Sequence, residues 1–217
     1  MPLDIGILLF NRGAGGNFLA RVLTLDPTTV CLSAQNIDNV DERSQLYHYN
    51  SLKLSPHEFS LPATDGLSRW VSYELFEMYF PLSRGVENLL ELNLKVIEPI
   101  HPNHLMDKLN LFGSDDQIKI AIIENNDLNW TYNQVLHKIS KNVSRQQFNK
   151  FIDMENNIID NHRKIHQYIS IKLSDIIGSQ TNFIRAYHQL CEFFNVKFYD
   201  EHATEIRNSW KKTWAFD

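Results

Sequence analysis

The sequence predicts an α/β fold of three layers, with a central parallel sheet and helices on both of its faces. Three observations lead there. Apolar runs of strand length alternate with helical patterns along the chain, which is the order that wraps a parallel sheet between two helix layers. The run Gln117–Glu124 (QIKIAIIE) holds four consecutive apolar residues, Ile120 to Ile123, as a central strand covered on both faces does. The chain also opens on an apolar run, a glycine-rich turn and an amphipathic helix, in that order.

That opening, residues 4–25, reads DIGILLFNRGAGGNFLARVLTL. Residues 5–10 are a strand, and Gly13, Ala14, Gly15 and Gly16 form the turn. Phe18, Leu19, Val22, Leu23 and Leu25 are spaced to make one apolar helix stripe. A strand, a glycine turn and a helix start bring consecutive backbone N–H groups and a partial positive charge to one point, a site for phosphate or sulfate. Glycine suits the turn because a Cβ would block the anion or forbid the backbone angles. A glycine turn that serves packing alone is the competing reading. The nucleotide-binding pattern G-x-x-x-x-G-K-S/T is not matched, since Asn17 and Phe18 stand where it has lysine and a hydroxyl. Arg12, before the glycines, is the strong cation of the turn. An anion here is therefore not expected to be held as magnesium and ATP are in kinases.

The remaining elements follow in order. Residues 28–33 (TTVCLS) read as a second strand. Residues 34–66 lack periodicity and contain Pro56 and Pro62, an irregular excursion that suits either a lid or acceptor surface, or a plain surface insertion. Helical patterns follow at 67–80 and 86–92. Residues 94–100 read as a strand interrupted near its end by Pro99, and 103–109 as a short helix capped by Asn103. After Gln117–Glu124, a helix is expected to start near Asp127 as N-cap, with Leu128, Tyr132, Val135, Leu136 and Ile139 on one face. A second, at 145–166, carries Phe148, Ile152, Ile159, His162 and Ile165. Residues 168–173 are a strand, Phe183, Tyr187, Leu190, Cys191 and Phe194 mark a long helix, and 201–217 read as a charged, aromatic tail. Ligands of parallel sheets bind beyond the carboxyl ends of the strands, which singles out residues 11–17, 33–36, 101–104, 125–131 and 174–175.

Composition bounds the function. The chain has 217 residues, 43% of them hydrophobic, which suits a single domain, 1–217, with a sizeable core. A net charge of −5 argues against broad nucleic-acid or membrane-surface binding. Cys31 and Cys191 sit in apolar surroundings and read as buried free thiols, which fits a cytoplasmic setting. Neither a signal peptide nor an apolar run of membrane length is visible. No His/Cys/Asp/Glu spacing suggests a metal site, and no G-x-S-x-G turn suggests a serine hydrolase.

At four places in order the chain resembles the sulfotransferases that use 3′-phosphoadenosine 5′-phosphosulfate. The run Asn11-Arg12-Gly13-Ala14-Gly15-Gly16-Asn17-Phe18-Leu19 is similar to their loop of the type P-K-S-G-T-T-W-L. Residues 95–105 (KVIEPIHPNHL) are similar to their K-T-H-x-P segment, with His101 in the place of the catalytic histidine. Residues 119–138 resemble the strand-loop-helix of the type I-Y-V-x-R-N-x-x-D-x-x-x-S, with Asp127 and Thr131 as the aspartate and serine. Residues 169–196 resemble the closing strand, turn and helix.

The resemblance implies a P-loop-like fold and transfer of a sulfuryl group to a hydroxyl or amine of a small-molecule or glycan acceptor, without a metal. The donor would be held by Arg12, Gly13, Ala14, Gly15, Gly16, Asn17 and Phe18, and its 3′-phosphate side by Asn125 and Thr131. The family's arginine near residues 123–125 and its R-x-G-x-x-G-x-x-K loop have no counterpart, though Arg207, Lys211 and Lys212 lie near the end of the chain. His101 is expected to act as general base, an effect of roughly 10²–10⁴-fold, and Arg12 to stabilise the leaving oxygen by charge alone. Two alternatives stay open: a non-catalytic anion- or nucleotide-binding relative, and a divergent kinase. The acceptor and the oligomeric state are not legible.

Overall fold

The first apolar run becomes the middle strand of the sheet. The computed structural model describes residues 4–23, 25–26, 29–30, 95–109, 117–138, 142–163 and 168–214. Within them the strands are β1 (Asp4–Phe10), β2 (Thr29–Val30), β3 (Lys95–Ile100), β4 (Gln117–Glu124) and β5 (Tyr168–Lys172). They form one sheet in the order β2-β3-β1-β4-β5, and every pairing is parallel. The helices are α1 (Gly16–Leu23), α2 (Leu105–Leu109), α3 (Leu128–Lys138), α4 (Arg145–His162), α5 (Leu173–Ile177), α6 (Gln180–Phe194) and α7 (Asp200–Trp214), with a 3-10 turn at Pro102–His104.

Side chains alternate across a strand, so β1 feeds two cores. Leu8 and Phe10, with Ile97, Ala121, Ile123 and Ile171, pack under α1, α6 and α7 on one face. Ile5, Ile7 and Leu9, with Val96, Ile100, Ile120 and Ile122, meet Leu105 of α2 and Ile159 of α4 on the other. The layers predicted from alternation are present, and the fold is three-layer α/β.

Register places the site. Leu9 pairs with Ile100 and Phe10 with Ile123, so the turn after β1 opens level with His101 on one side and with Glu124 and Asn125 on the other. The helix starts are fixed locally. Asp127 caps α3 by accepting from the Trp130 N–H (2.9 Å), and Ser144 and Gln147 exchange a capping box at α4 (3.2 and 3.0 Å). At the far end of the sheet Lys95 pairs with Asp4 (3.0 Å) and donates to the carbonyls of Phe194 and Asn195, tying β3 to the end of α6.

Four expectations are corrected. β3 runs through Pro99 to Ile100 without interruption, with Pro99 in register with Leu8 of β1. The segment after β3 starts at Pro102, with proline at the first helical position and no side-chain cap, rather than at Asn103. The helix from Arg145 ends at His162. The expected tail at 201–217 is helical as far as Trp214. Ala203, Ile206, Arg207 and Trp210 recur at helical spacing and are all buried, which gives α7 an apolar face to dock. The excursion at 34–66, the helices at 67–80 and 86–92, and Cys31 lie outside the described residues. Among the described residues, no helix is long and apolar enough to cross a membrane.

Candidate functional site

The turn after β1 closes when the Ala14 N–H donates to the Asn11 carbonyl (3.0 Å). Gly13 (φ 85°) and Gly15 (φ 77°) then take left-handed conformations that side chains rarely adopt. Gly16 is glycine for a different reason, since a Cβ there would stand 2.0 Å from the Phe10 ring. The turn therefore lies flat on its own strand. Packing fixes one glycine and backbone conformation the other two. The first backbone bond of the helix start runs from the Leu19 N–H to the Gly15 carbonyl (3.1 Å). The N–H groups of Gly16, Asn17 and Phe18 precede it and have no intrahelical acceptor. Three N–H groups at a helix start, next to two left-handed glycines, are the kind of backbone donors that can hold an anion. Ala14 leaves the expected donor set, because its N–H is used by the turn and its side chain is buried. The Phe18 ring belongs to the core, stacked on Trp210 at 4.3 Å.

Arg12 stands at the edge of this cradle. Its guanidinium lies over the Phe151 ring at 5.0 Å from the centroid. With Val135, Asn142, Val143, Gln147, Phe148 and Phe151 it lines a cleft of about 380 Å³. Behind it, fully buried Asn11 donates through Nδ2 to Oε2 of fully buried Glu155 (2.9 Å). Burial pushes the Glu155 carboxyl up to about 7, against the hydrogen bonds from Asn11 and the Arg12 backbone and against the Arg12 charge.

His101 follows β3, its ring tilted against Phe10 at 4.6 Å. Its Nδ1 lies 3.2 Å from the Phe10 carbonyl. Burial, with the Arg12 charge adding to it, lowers its pKa to about 4 despite that bond, so the ring is neutral at pH 7. A carbonyl only accepts, so Nδ1 carries the proton and Nε2 keeps its lone pair. That is the tautomer a general base needs.

The residues expected to face a 3′-phosphate are less well furnished. Thr131 is buried, its hydroxyl 2.8 Å from Asn125 Oδ1 and 2.9 Å from the Asp127 carbonyl, so it faces inward. The Nδ2 of Asn125 is buried and without a hydrogen-bond partner among the described residues, which leaves it as the available donor there. Arg207 donates to the carbonyls of Ile176 and Gly178, and Lys211 to that of Ile177 (3.0 Å). These two cations are engaged with the carbonyls that end α5; the side chain of Lys212 lies outside the described residues. Among the described residues no cluster of three or more His, Cys, Asp or Glu could hold a metal ion.

A glycine turn after the middle strand of a 2-3-1-4-5 parallel sheet settles the fold. It is P-loop-like. No family model matches the chain, and no curated protein matches it. Among solved structures the chain is similar to a sugar kinase from Janibacter sp. (TM-score 0.49, 8% identity, covering 90% of this chain and 96% of that one). It is also similar to shikimate kinase from Bacteroides thetaiotaomicron (TM-score 0.38, 13% identity, 88% and 98%) and to a fungal RNA kinase (TM-score 0.38, 14% identity, 100% of both). At these identities and scores the likenesses carry no chemistry to this chain.

Sequence reasoning missed Glu155, Phe151 and Trp210, and placed Asn11 in the turn without its partner Glu155. A signal for Glu155 was present: it falls between Ile152 and Ile159 on the apolar stripe of α4, at the helical spacing of Phe148, Ile152 and Ile159. A carboxylate on such a stripe is buried, and a buried carboxylate needs a partner. Trp210 packs on Phe18, and a Cβ on Gly15 would come within 3.3 Å of its ring, so α7 backs the turn.

Proposed function

We propose that the chain moves a sulfuryl group from 3′-phosphoadenosine 5′-phosphosulfate to a hydroxyl or amine of a small-molecule or glycan acceptor. The observation that carries this reading is the pairing of the glycine cradle with a neutral imidazole. The β1–β3 register brings His101 beside the turn, and its Nδ1–H bond to Phe10 leaves Nε2 free to take a proton. The donor supplies an activated sulfuryl group on a phosphate leaving group. The chain's own residues do the rest. The backbone donors of Gly16, Asn17 and Phe18 hold the anionic end, and Arg12 places fixed positive charge where the leaving oxygen gains negative charge. His101 Nε2 accepts the proton that the acceptor hydroxyl or amine loses as its oxygen or nitrogen bonds to sulfur. Phe18 occupies the place of the hydroxyl that binds magnesium in the kinase pattern, so the turn asks for an anion of lower charge than a magnesium triphosphate.

The residues fit the 5′ end of the donor, whereas on the 3′ side Asn125 Nδ2 offers one neutral donor. A second reading, a non-catalytic anion-binding relative, is supported by the engagement of Arg207 and Lys211 with the carbonyls that end α5. The two readings separate at His101. His101→Ala is expected to keep binding of 3′-phosphoadenosine 5′-phosphate within about threefold and to lower transfer or donor hydrolysis by roughly 10²-fold or more. Unchanged turnover removes His101 as base, and no turnover in the unaltered chain with any hydroxyl or amine acceptor supports the second reading.

A further inference from the structure

We propose that Asn11 and Glu155 form a neutral acid–amide pair beneath the turn, and that anion binding at the turn is thereby coupled to uptake of a proton by Glu155. The inference rests on the reading of the turn as an anion site. Its geometric basis is a mismatch in the buried pair. Asn11 Nδ2 donates to Glu155 Oε2 at 2.9 Å, and both groups are fully buried. The other two oxygens, Asn11 Oδ1 and Glu155 Oε1, are buried acceptors with no partner among the described residues. Two buried acceptors without a donor are costly while the carboxyl is ionised. One proton on Oε1 converts that oxygen into a donor for Oδ1, closing a ring of two hydrogen bonds between a carboxylic acid and a primary amide. The raised affinity of Glu155 for a proton agrees with this.

The coupling comes from Arg12. Its backbone N–H also bonds Glu155, and its charge acts on the carboxylate. When Glu155 is ionised, its negative charge lies beside the cradle, attracts the guanidinium and repels an incoming anion. When Glu155 is protonated, the field of Arg12 is available to the ligand. By linkage the anion must then favour the protonated form, so a proton is taken up as the anion binds. The other ionisable groups near Glu155 among the described residues include His162 on α4 itself, and E155Q separates their contribution from that of Glu155. The segment after β3 packs on α4 and brings His101 and His104; His101 stays neutral above about pH 5, its pKa being about 4, and His104 is exposed. From α3, packed on α4 through Val135, the ionisable group among the described side chains is Tyr132, whose hydroxyl donates to the Val143 carbonyl.

Two measurements test this. Infrared difference spectra between the full chain and E155Q, with no ligand added, are expected to show a carboxylic-acid C=O band below pH 7 that E155Q lacks and that fades as pH rises through about 7. Absence of that band overturns the pair. Calorimetric binding of inorganic sulfate, whose charge is constant in this range, is expected to be roughly tenfold tighter at pH 6 than at pH 8, with proton uptake. Glutamine can give and accept the same two bonds as the protonated acid, so E155Q is expected to bind sulfate with the same affinity at both pH values. Equal affinity in the unaltered chain, or a dependence that survives E155Q, overturns the coupling. A band without any sulfate binding overturns the anion reading of the turn and leaves the acid–amide pair standing.

Discussion

Two titratable side chains beside the turn oppose each other across the acid range. The Glu155 carboxyl sits at about 7, above its ordinary 4.5. Its contribution to stability is full below about pH 4.5 and is lost as pH rises through 7, because the folded state binds the proton more tightly. The His101 imidazole sits at about 4, below its ordinary 6.5. Its contribution is full above pH 6.5 and is lost as pH falls through 4, because only the unfolded chain is then protonated. Between about pH 4.5 and 6.5 the slopes have opposite sign, each worth roughly 3 kcal/mol over its whole range as an upper figure. E155Q is expected to leave a stability that rises with pH in that window, and His101→Gln one that falls. Urea midpoints of both variants at pH 4.5, 5.5 and 6.5 check this, and two curves parallel to that of the unaltered chain would refute it. The turn itself gives a sharper substitution. Gly15→Ala places a Cβ 3.3 Å from the Trp210 ring in a left-handed conformation, and is expected to cost roughly 1–2 kcal/mol and to weaken anion binding together with stability. A variant of normal stability that binds sulfate normally would show that the turn tolerates a side chain.

Among the elements, those legible in the sequence were the ones whose period is set by burial. β1, β4, α1, α4 and α6 carry continuous or helically spaced apolar residues, and their buried sets match those patterns. What periodicity could not show was tertiary. The segment now seen as α7 has many charged residues, and its apolar face is sparse until Arg207 is counted as part of it; the guanidinium is buried because it meets the carbonyls that end α5. Likewise the glycines were visible as a turn, but not that Gly16 answers to the Phe10 ring, nor that Ala14 faces the core. Glu155 was overlooked because its burial depends on Asn11, 144 residues away in sequence. The role of α7 is testable. Trp210→Ala removes a side chain that is 2% exposed and stacks on Phe18, and is expected to lower stability by roughly 3–5 kcal/mol while loosening the turn. Ser144→Ala, which removes the α4 cap, is expected to cost about 1 kcal/mol. A Trp210→Ala chain that binds sulfate with unchanged affinity would mean that α7 is scaffold only.

At the scale of the whole molecule, five parallel strands direct their carboxyl ends to one edge, and the register delivers the cradle, Arg12, His101 and Asn125 there together. A ligand that bridges these groups binds only the folded chain, so its affinity must appear as stability. At a hundredfold excess over its dissociation constant it adds about 2.7 kcal/mol, which for a chain of this size raises the melting temperature by roughly 5–10 °C. The phosphosulfate reading expects this shift from 3′-phosphoadenosine 5′-phosphate, unchanged by magnesium, because no residue of the turn is suited to hold the metal. It expects a smaller shift from ATP and none added by magnesium, because the lysine and hydroxyl of the kinase pattern are replaced by Asn17 and Phe18. A shift that appears only with magnesium and ATP would transfer the chain to the kinase reading. Equal shifts from adenosine 5′-phosphate and its 3′,5′-bisphosphate counterpart would keep the cradle and remove the phosphosulfate donor, since nothing would then be reading the second phosphate. With Arg207 and Lys211 committed to α5, that comparison weighs most on Asn125. Asn125→Ala is expected to erase any advantage of the 3′-phosphate while leaving the response to the 5′-phosphate intact.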